Sequence, residues 1–430
     1  MTNSGGKMKR IEKQILDAVD HLTDDVLDFT CRLVAEPSTL ENEASVLRVM
    51  EKELTKLSFD PVRVPIDPVT LSEHLGFAPV PWSYDGRYNV VARREASAGG
   101  GRSALFNGHL DVVSPEPRIL WNTDPFEPVE RDGWLYGRGA GDMKSGVAAM
   151  TYAVHAVEKA GFGFKAPVTI ETVIEEECSG NGALACVAAG HDAEAVLIPE
   201  PMGLAILTAQ LGVLWFKVSL TGVPRHVHEA QAGVNAIEKC IPLIAALRDL
   251  EAEMNQEVHP IYEGIQHPIN LNIGIIKGGD WPSTVPAAAE FHCRLSFFPG
   301  KTYDQTRQRI VDTIAQATQA DPWLAENQPK VEFYGFRSEG HVVDRNQPAF
   351  NTLNDCHREI NGQDAGELIS TATTDVRAFY YYTQAQATCY GPVAENIHAA
   401  NERVNIESVI HTAKVYTLFL ARWCGIVEKG

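Results

Sequence analysis

The sequence predicts an α/β protein in which a mainly parallel mixed sheet is flanked by helices and a smaller α+β unit is inserted into the chain. Three observations support this fold class. Short β-branched segments alternate with helical patterns in the outer parts of the chain, which is typical of a parallel sheet covered by helices. The middle part instead has two successive strand patterns between helices. Several outer strands end directly at residues that can bind metals.

The outer parts of the chain begin with helices and then alternate. Apolar residues recur at helical spacing over 11–35 and 39–57, with Glu41 and Glu43 expected in the first turn of the second stretch. A small-residue helix is predicted over 144–160, with Gly161 as its C-terminal cap. The remaining predictions are strands at 89–92, 103–107, 168–174, 194–198 and 386–390, and a closing helix over 406–423.

The middle of the chain reads as a compact β-α-β-β-α unit. Its predicted strands are 213–220, 270–276 and 288–297, and its predicted helices are 234–254 and 303–319. Asp321-Pro322 and Gln328-Pro329 are suitable exit linkers. The chain is therefore expected to divide into 1–208, an inserted domain over 209–325, and 326–430, which returns to the first domain.

Composition excludes several classes of protein. The 430 residues carry a net charge of −19, with 44% hydrophobic and 22% charged residues, as expected for a soluble globular protein. Without a basic cluster, nucleic acid is not an expected partner, and no apolar run reaches the roughly 18 residues of a membrane span. The first residues lack the apolar core of a secretory signal. Eight scattered cysteines without a CxxC pair predict a cytoplasmic protein rather than a disulfide framework or a thiolate zinc site.

Five places combine a potential metal ligand with the end of a predicted strand or the start of a helix. Taken alone, each has an ordinary explanation, such as a surface His, a helix N-cap or a solvated acidic turn. The glycine-rich segment 137–146 lacks the GxxxxGK[ST] spacing and has a carboxylate where phosphate would be repelled, so a phosphate loop is excluded. The five places are His109 with Asp111, Asp142, the acidic run 175–177, Glu200 between two prolines, and His398.

Together these places predict a metal centre. The carboxyl ends of parallel strands meet at one edge of a sheet, so His109, Glu177, Glu200 and His398 are expected there, next to Asp142 at a helix start. Two His and three carboxylates suit two divalent ions bridged by one carboxylate. Because no Cys is among them, a catalytic site is favoured over a structural zinc site.

At these residues the sequence resembles the dinuclear-zinc family of acetylornithine deacetylase, succinyl-diaminopimelate desuccinylase, aminoacylase and glutamate carboxypeptidase. The resemblance spans nearly the whole chain, from GHLDVV at 108–113 to IHAANE at 397–402. It implies that 1–208 and 326–430 form a catalytic domain and that 209–325 is a lid through which members commonly form homodimers. The metal ligands that it implies are His109, Asp142 and Glu200 for one ion, and Asp142, Glu177 and His398 for the other.

The resemblance also implies roles around the ligands. Asp111 matches the acid that orients the metal-bound His, and Glu176 matches the general base. The acidic run leaves the register open by one residue. The following Cys-Ser-Gly-Asn-Gly favours Glu176 and Glu177, with Glu175 in the place of the family's common Asp.

Two lid residues complete the implied site. His226, rather than His228, matches the residue that reaches a neighbouring subunit's active site and binds the oxyanion. A polar loop pair is the alternative explanation of these two His. Arg294 matches the Arg that grips a substrate carboxylate, although it could equally be a salt-bridged surface residue.

The resemblance implies an amidohydrolase that acts on a small N-acylated amino acid or related amine. A water bridging two zinc ions, or cobalt or manganese in this mixed N/O shell, would attack the amide with Glu176 as general base. A dipeptidase or carboxypeptidase, and a deformylase or decarbamoylase, need the same groups. A non-catalytic binding protein on the same fold is the remote alternative, because the base and every ligand are present.

Overall fold

The computed structural model describes the backbone of residues 3–429 and the side chains of residues 8–429. Residues 1, 2 and 430 of the predicted domains lie outside the described residues. None of the described helices is both long and apolar enough to cross a membrane.

Helices and strands alternate along most of the described chain. The α-helices are α1 Asn3–Asp20, α2 Thr23–Val34, α3 Ala44–Lys56, α4 Pro68–Leu71, α5 Ser145–Lys159, α6 Asn181–Ala188, α7 Ala236–Met254, α8 Tyr303–Thr318, α9 Pro322–Glu326, α10 Pro348–Asn361, α11 Val376–Tyr382 and α12 Ile406–Trp423. Shorter helical turns are 3₁₀ segments at Arg118–Leu120, Val227–Ala232 and Pro260–Tyr262, and a π-helical turn at Ala140–Lys144.

The strands are β1 Val62–Pro65, β2 Tyr88–Arg94, β3 Ala104–His109, β4 Val129–Arg131, β5 Trp134–Tyr136, β6 Phe162–Phe164, β7 Val168–Val173, β8 Ala195–Ile198, β9 Ile206–Gln210, β10 Gly212–Thr221, β11 Leu271–Gly278, β12 Ala288–Phe297, β13 Lys330–Ser338, β14 His341–Val342, β15 Glu367–Ser370, β16 Gln386–Cys389, β17 Ala394–Glu395, β18 Arg403–Asn405 and β19 Ile426–Glu428.

The largest sheet has the strand order β1-β2-β7-β3-β8-β16. Strands β7, β3, β8 and β16 are parallel to one another, and β1 and β2 form an antiparallel edge. Helix α5 packs on β3 and β7, and α12 and α1 pack on α5, whereas α6 contacts β1, β2 and β7. Successive residues of β2 point to opposite faces of the sheet. Val90 belongs to the main apolar core on one face, and Val91 packs with Cys186 of α6 on the other. The predicted fold class, a mainly parallel sheet flanked by helices, is therefore confirmed.

A second, antiparallel sheet has the strand order β11-β12-β10-β13 and is called here the lid sheet. Its apolar residues form a separate core with α7 and α8. The strands and helices predicted for the middle of the chain are all present. Strand β13 was not predicted, and it extends this sheet beyond residue 325. The domain boundaries at 208 and 325 stay predictions.

One helix start differs from the prediction. Glu41 and Glu43 precede α3, which begins only at Ala44. Glu41 has a left-handed backbone with φ 65°, and the Glu43 carboxylate forms an ion pair with Arg87 on the chain leading into β2. A long-range ion pair therefore competes with the local preference for acids in a first helical turn.

Helix α5 approaches the end of β8 closely because Gly146 has no side chain. A Cβ at this position would lie 2.1 Å from the carbonyl oxygen of Pro199, the residue before Glu200. The lack of a Cβ at residue 146 thus brings the turn that carries Asp142 near Glu200.

We expect Gly146→Ala to destabilise the protein although Ala is the better helix former. The helix preference is worth at most about 1 kcal/mol, whereas overpacking against backbone costs about 1–3 kcal/mol. Calorimetry should show a lower melting temperature for Gly146→Ala. Gly99→Ala is the control, since its Cβ would meet nothing within 4 Å, and its stability should stay within about 0.5 kcal/mol of the parent. An unchanged or higher melting temperature for Gly146→Ala would contradict this steric argument.

Candidate metal centre

The structure brings the five predicted ligands together at the carboxyl edge of the parallel strands. His109 is the last residue of β3, Glu200 lies two residues after β8, and Glu177 follows β7. Asp142 lies in the π-helical turn before α5, and His398 lies in the loop between β17 and β18. The five residues come from separate stretches of the chain, so their meeting depends on the strand order.

The carboxylate of Asp142 lies between the two imidazoles. Its Oδ1 is 3.0 Å from Nε2 of His109, and its Oδ2 is 3.3 Å from Nε2 of His398. Glu200 Oε1 lies 3.8 Å from the first imidazole nitrogen, and Glu177 Oε1 lies 3.1 Å from the second. Asp142 therefore directs one carboxylate oxygen towards each of the two His.

The ring of His109 is oriented by Asp111, chiefly through its main chain. His109 Nδ1 lies 2.9 Å from the carbonyl oxygen of Asp111, which can only accept, so Nδ1 carries a hydrogen and Nε2 is the nitrogen that faces the carboxylates. The Asp111 carboxylate is 3.7 Å from the same ring nitrogen. It accepts hydrogen bonds from the backbone N–H groups of Glu176 (3.3 Å) and Glu177 (3.1 Å) instead. Asp111 thus ties the acidic turn to the end of β3.

The pKa values of the site residues are shifted because several acids lie close together in a buried site. Burial, and then the charge of Asp142, raise the pKa of Glu200. The charge of Glu177 is the main cause that raises the pKa of His398 to about 11. Burial disfavours the charged form of Asp142, but hydrogen bonds from His109 and His398 hold its pKa well below the usual range. The carboxylates therefore stabilise positive charge at the points where a cation would lie.

The donor atoms fit divalent metal ions. Ligand atoms of His109, Asp142 and Glu177 lie within 4.8 Å of one another, and so do those of His109, Glu176 and Glu200. Imidazole nitrogens and carboxylate oxygens are donors that zinc, cobalt and manganese accept. The eight cysteines are unpaired, and none belongs to either group.

The acidic run 175–177 is divided between structural and site roles. Glu175 is fully buried and accepts hydrogen bonds from Trp82 (2.9 Å) and Tyr84 (2.9 Å), and its carboxylate lies 2.6 Å from a guanidinium nitrogen of Arg87. Those bonds occupy both oxygens of Glu175 away from the imidazoles. Glu176 and Glu177 are left to face the site, as the register chosen from the sequence requires.

Glu176 has the surroundings that a proton-transferring group needs. Its carboxylate is buried, and Oε1 has no hydrogen-bond partner among the described residues. Burial, and then the charge of Asp375, raise its pKa above the ordinary value. Nη1 of Arg377 lies 3.8 Å from Oε1.

Two sets of residues near the site are not predicted from the sequence: Glu402, and the pair Asp375 and Arg377. Glu402 is fully buried, accepts hydrogen bonds from the backbone N–H groups of Gly141 (2.9 Å) and Asp142 (3.0 Å), and pairs with Arg138. Asp375 and Arg377 lie beside Glu176. Because Glu402 is the last residue of the IHAANE motif, that motif could have indicated it as a residue of the site. No comparable signal marks the segment 373–377.

The two predicted lid residues differ in where they lie. Arg294, on β12, lines a cavity of about 350 Å³ together with Glu176, Glu177 and His398. Its Nη2 donates to the carbonyl oxygen of Thr371 at 3.4 Å, no carboxylate pairs with it among the described residues, and burial lowers its pKa.

His226 is exposed, and its contacts among the described residues lie within the inserted unit. Its ring nitrogen Nδ1 lies 2.7 Å from Nδ1 of His228, and its backbone bridges to Thr284. Within the part of the chain that the structure describes, His226 has no contact with the metal centre. A role at an active site would require a second subunit.

A protein family, curated relatives and solved structures each match most of this chain. The family Peptidase family M20/M25/M40 matches residues 105–422. The N-formyl-4-amino-5-aminomethyl-2-methylpyrimidine deformylase of Bacillus subtilis is 29% identical over 372 residues, covering 81% of this chain and 86% of that protein. The succinyl-diaminopimelate desuccinylase of Thioalkalivibrio sulfidiphilus is 28% identical over 412 residues, covering 93% and 98%.

Among solved structures, the di-peptidase Dug1p from Saccharomyces cerevisiae superimposes with a TM-score of 0.77 at 15% sequence identity, covering 96% of this chain and 98% of that one. At this identity the likeness concerns the fold. The family match runs from β3 into α12 and includes every predicted metal ligand as well as Glu176. The resemblance inferred from the motifs is therefore confirmed: the chain is an enzyme that belongs to peptidase family M20/M25/M40.

Proposed function

We propose that the protein hydrolyses the amide bond of a small N-acylated amino acid or related amine. The observation that carries this proposal is the position of Glu176, a buried carboxylate with a free oxygen beside five clustered His and acid ligands at the base of a cavity. A nucleophilic water and its proton acceptor are the two requirements of amide hydrolysis without a covalent intermediate. The arrangement supports both.

The proposed cofactors are two divalent ions, zinc in the first place, with cobalt or manganese as alternatives. His109, Asp142 and Glu200 would hold one ion, and Asp142, Glu177 and His398 the other. When bound, such ions lower the pKa of water and polarise a carbonyl group.

The residues of the chain would then act in sequence. Glu176 accepts a proton from the attacking water and later returns it to the departing amine nitrogen. Asp111 keeps Glu176 and Glu177 in place through their backbone N–H groups. Arg294 binds a substrate carboxylate, for which its buried and unpaired guanidinium is suited. His226 of a second subunit stabilises the oxyanion, an effect worth about 3–4 kcal/mol where one such donor is removed.

The observations narrow the acyl group and the amine of the substrate less than they narrow the type of reaction. The named relatives include a desuccinylase and a deformylase, and a di-peptidase shares the fold. Removal of a succinyl, acetyl or formyl group, and cleavage of a dipeptide, need the same centre. We propose deacylation first, with dipeptide cleavage as the second candidate because of the fold likeness.

A homodimer formed through the lid is part of the proposal. Its support is a number of exposed large apolar side chains of the inserted unit, among them Val227, Ile237, Ile241, Ile275, Ile276 and Trp281. Burial of such side chains in an interface between subunits would remove their apolar surface from water. We also propose that the enzyme acts in the cytoplasm on small molecules, with neither nucleic acid nor membrane as partner.

A hydrolysis screen tests the proposed activity. N-acetyl, N-succinyl and N-formyl amino acids and dipeptides are incubated with the zinc-loaded enzyme, and free amine is measured. At least one group should be hydrolysed, a chelator should abolish the hydrolysis, and added zinc should restore it. Hydrolysis that survives complete metal removal would refute the metal-dependent reaction.

Glu176→Gln separates the base from the ligands. Because the amide cannot accept the proton, we expect kcat to fall by about 10²–10⁴-fold while the metal content measured by mass spectrometry stays nearly normal. Asp142→Ala should instead lose both ions, since one carboxylate faces both imidazoles. Asp60→Ala, an exposed acid, is the control for both measurements. Near-normal turnover by Glu176→Gln would remove it as the base.

Mixed dimers test the assignment of His226. Glu176→Gln and His226→Ala are each expected to be inactive as homodimers. In a mixed dimer, one active site combines the intact Glu176 of the His226→Ala subunit with the intact His226 of the Glu176→Gln subunit. Co-expression of the two variants should therefore restore activity. His228→Ala, combined with Glu176→Gln in the same way, is the control for the neighbouring His. If the mixed dimer stays inactive, or if the active enzyme is a monomer, His226 does not act across subunits.

A further inference from the structure

The lid sheet has one face without helices of its own, and that face borders the metal centre. Helices α7 and α8 pack on the other face through the core residues of β10, β12 and β13. Since side chains alternate along a strand, the residues between those core positions lie on the free face. Trp215 of β10, His292 and Arg294 of β12, and Tyr334 and Phe336 of β13 all line the cavity that contains Glu176.

A β-bulge places three of these aromatic rings side by side. The pairing of β10 with β13 shifts between Leu214 and Phe216, which puts Trp215 opposite the segment around Gly335. The Trp215 ring centre lies 5.9 Å from that of Tyr334 and 5.2 Å from that of Phe336, with ring planes inclined at 66° and 78°.

Gly335 is required for this arrangement. Its φ is 65°, and a Cβ there would lie 2.7 Å from the Trp215 ring and 2.8 Å from the carbonyl oxygen of Cys178. The close contact brings the aromatic rings against the loop that follows Glu176 and Glu177.

The aromatic rings are held by contacts at their margins. His292 Nδ1 lies 2.5 Å from the Tyr334 hydroxyl, and the Arg377 guanidinium lies 4.9 Å above the Phe336 ring. Trp215 and Arg294 are direct cross-strand partners in the β10–β12 register, so a cation stands beside the largest ring. Side chains fixed from several sides form a pre-organised surface, which favours a ligand of matching shape.

We propose that the substrate carries a planar aromatic or heteroaromatic ring, which packs on Trp215, Tyr334 and Phe336 while its amide reaches Glu176. This proposal rests on the proposed amide hydrolysis and names its substrate class. Aromatic rings prefer edge-to-face and offset contacts that a saturated ring cannot make.

The test compares substrates that differ only in aromaticity. N-formylbenzylamine is paired with N-formylcyclohexylmethylamine, and N-acetylphenylalanine with N-acetylcyclohexylalanine, so that the second pair adds the carboxylate expected at Arg294. In the zinc-loaded enzyme we expect kcat/KM to favour the aromatic member of at least one pair by about ten-fold or more. Equal rates within both pairs would overturn the inference and leave the proposed hydrolysis standing.

Variants link the preference to the cavity. Trp215→Leu and, separately, Phe336→Leu should reduce the aromatic preference to about two-fold or less, because kcat/KM falls more for the aromatic member of a pair than for its cyclohexyl partner. Trp134→Leu, at a Trp of β5 that is not among the residues lining this cavity, is the matched control and should keep the full preference. A purely structural role of the rings would lower both rates together and leave their ratio unchanged, which would also overturn the inference. If one variant fails to fold, the other decides.

If the loaded enzyme hydrolyses none of these amides, the proposed reaction is in doubt but the cavity can still be tested. Calorimetric titration with benzylamine and with cyclohexylmethylamine measures ring binding without any reaction. Tighter binding of benzylamine that is lost in Trp215→Leu would support the aromatic site independently. Indistinguishable binding of the two amines would refute it.

Discussion

Carboxylates that follow β7 and β8 and one from the turn before α5 lie close together in a buried site, and this arrangement requires positive charge between them. Two unit charges 4 Å apart interact by about 4 kcal/mol at an effective dielectric constant of 20, so repulsion of this kind among Asp142, Glu177 and Glu200 would be a sizeable fraction of the stability of a domain. Two imidazoles face these acids, and Asp142 contacts both. Divalent ions would supply the same charge without protons on the His residues.

The rest of the site follows from the need to hold Asp142 in that position. Glu402 accepts hydrogen bonds from the backbone N–H groups of Gly141 and Asp142 and is paired with Arg138. Gly146 lets α5 lie against Pro199, and Asp111 connects the end of β3 to the acidic turn. Each contact joins elements that are distant in the chain, so the centre is a product of the sheet rather than of any one loop.

The two sheets contribute different properties. The edge of the parallel sheet carries the charged groups that can change protonation, whereas the free face of the lid sheet carries rings and a single unpaired Arg. In the proposed function, amide hydrolysis would use the first set and discrimination among small amides the second. Residues of both sets line one cavity.

Helices and strands whose apolar residues recur with a clear period could be predicted from the sequence. The closing helix was predicted at 406–423 and is observed at Ile406–Trp423, and the strand predicted at 288–297 is β12. Strand β13 was missed because it follows proline signals and is interrupted by Gly335 at a bulge. The strands β4, β5, β17 and β18 contain two or three residues each, too few for an alternating pattern.

The sequence by itself determined which ligand types end the strands and in what order, because motif residues and strand patterns are local. Only the tertiary structure decided that Glu175 is occupied by Trp82, Tyr84 and Arg87, and that Arg294 has no acidic partner among the residues that the structure describes. It also decided that three rings meet beside Glu176. These facts depend on register and packing between segments far apart in the chain, and no local pattern of residues encodes such distances.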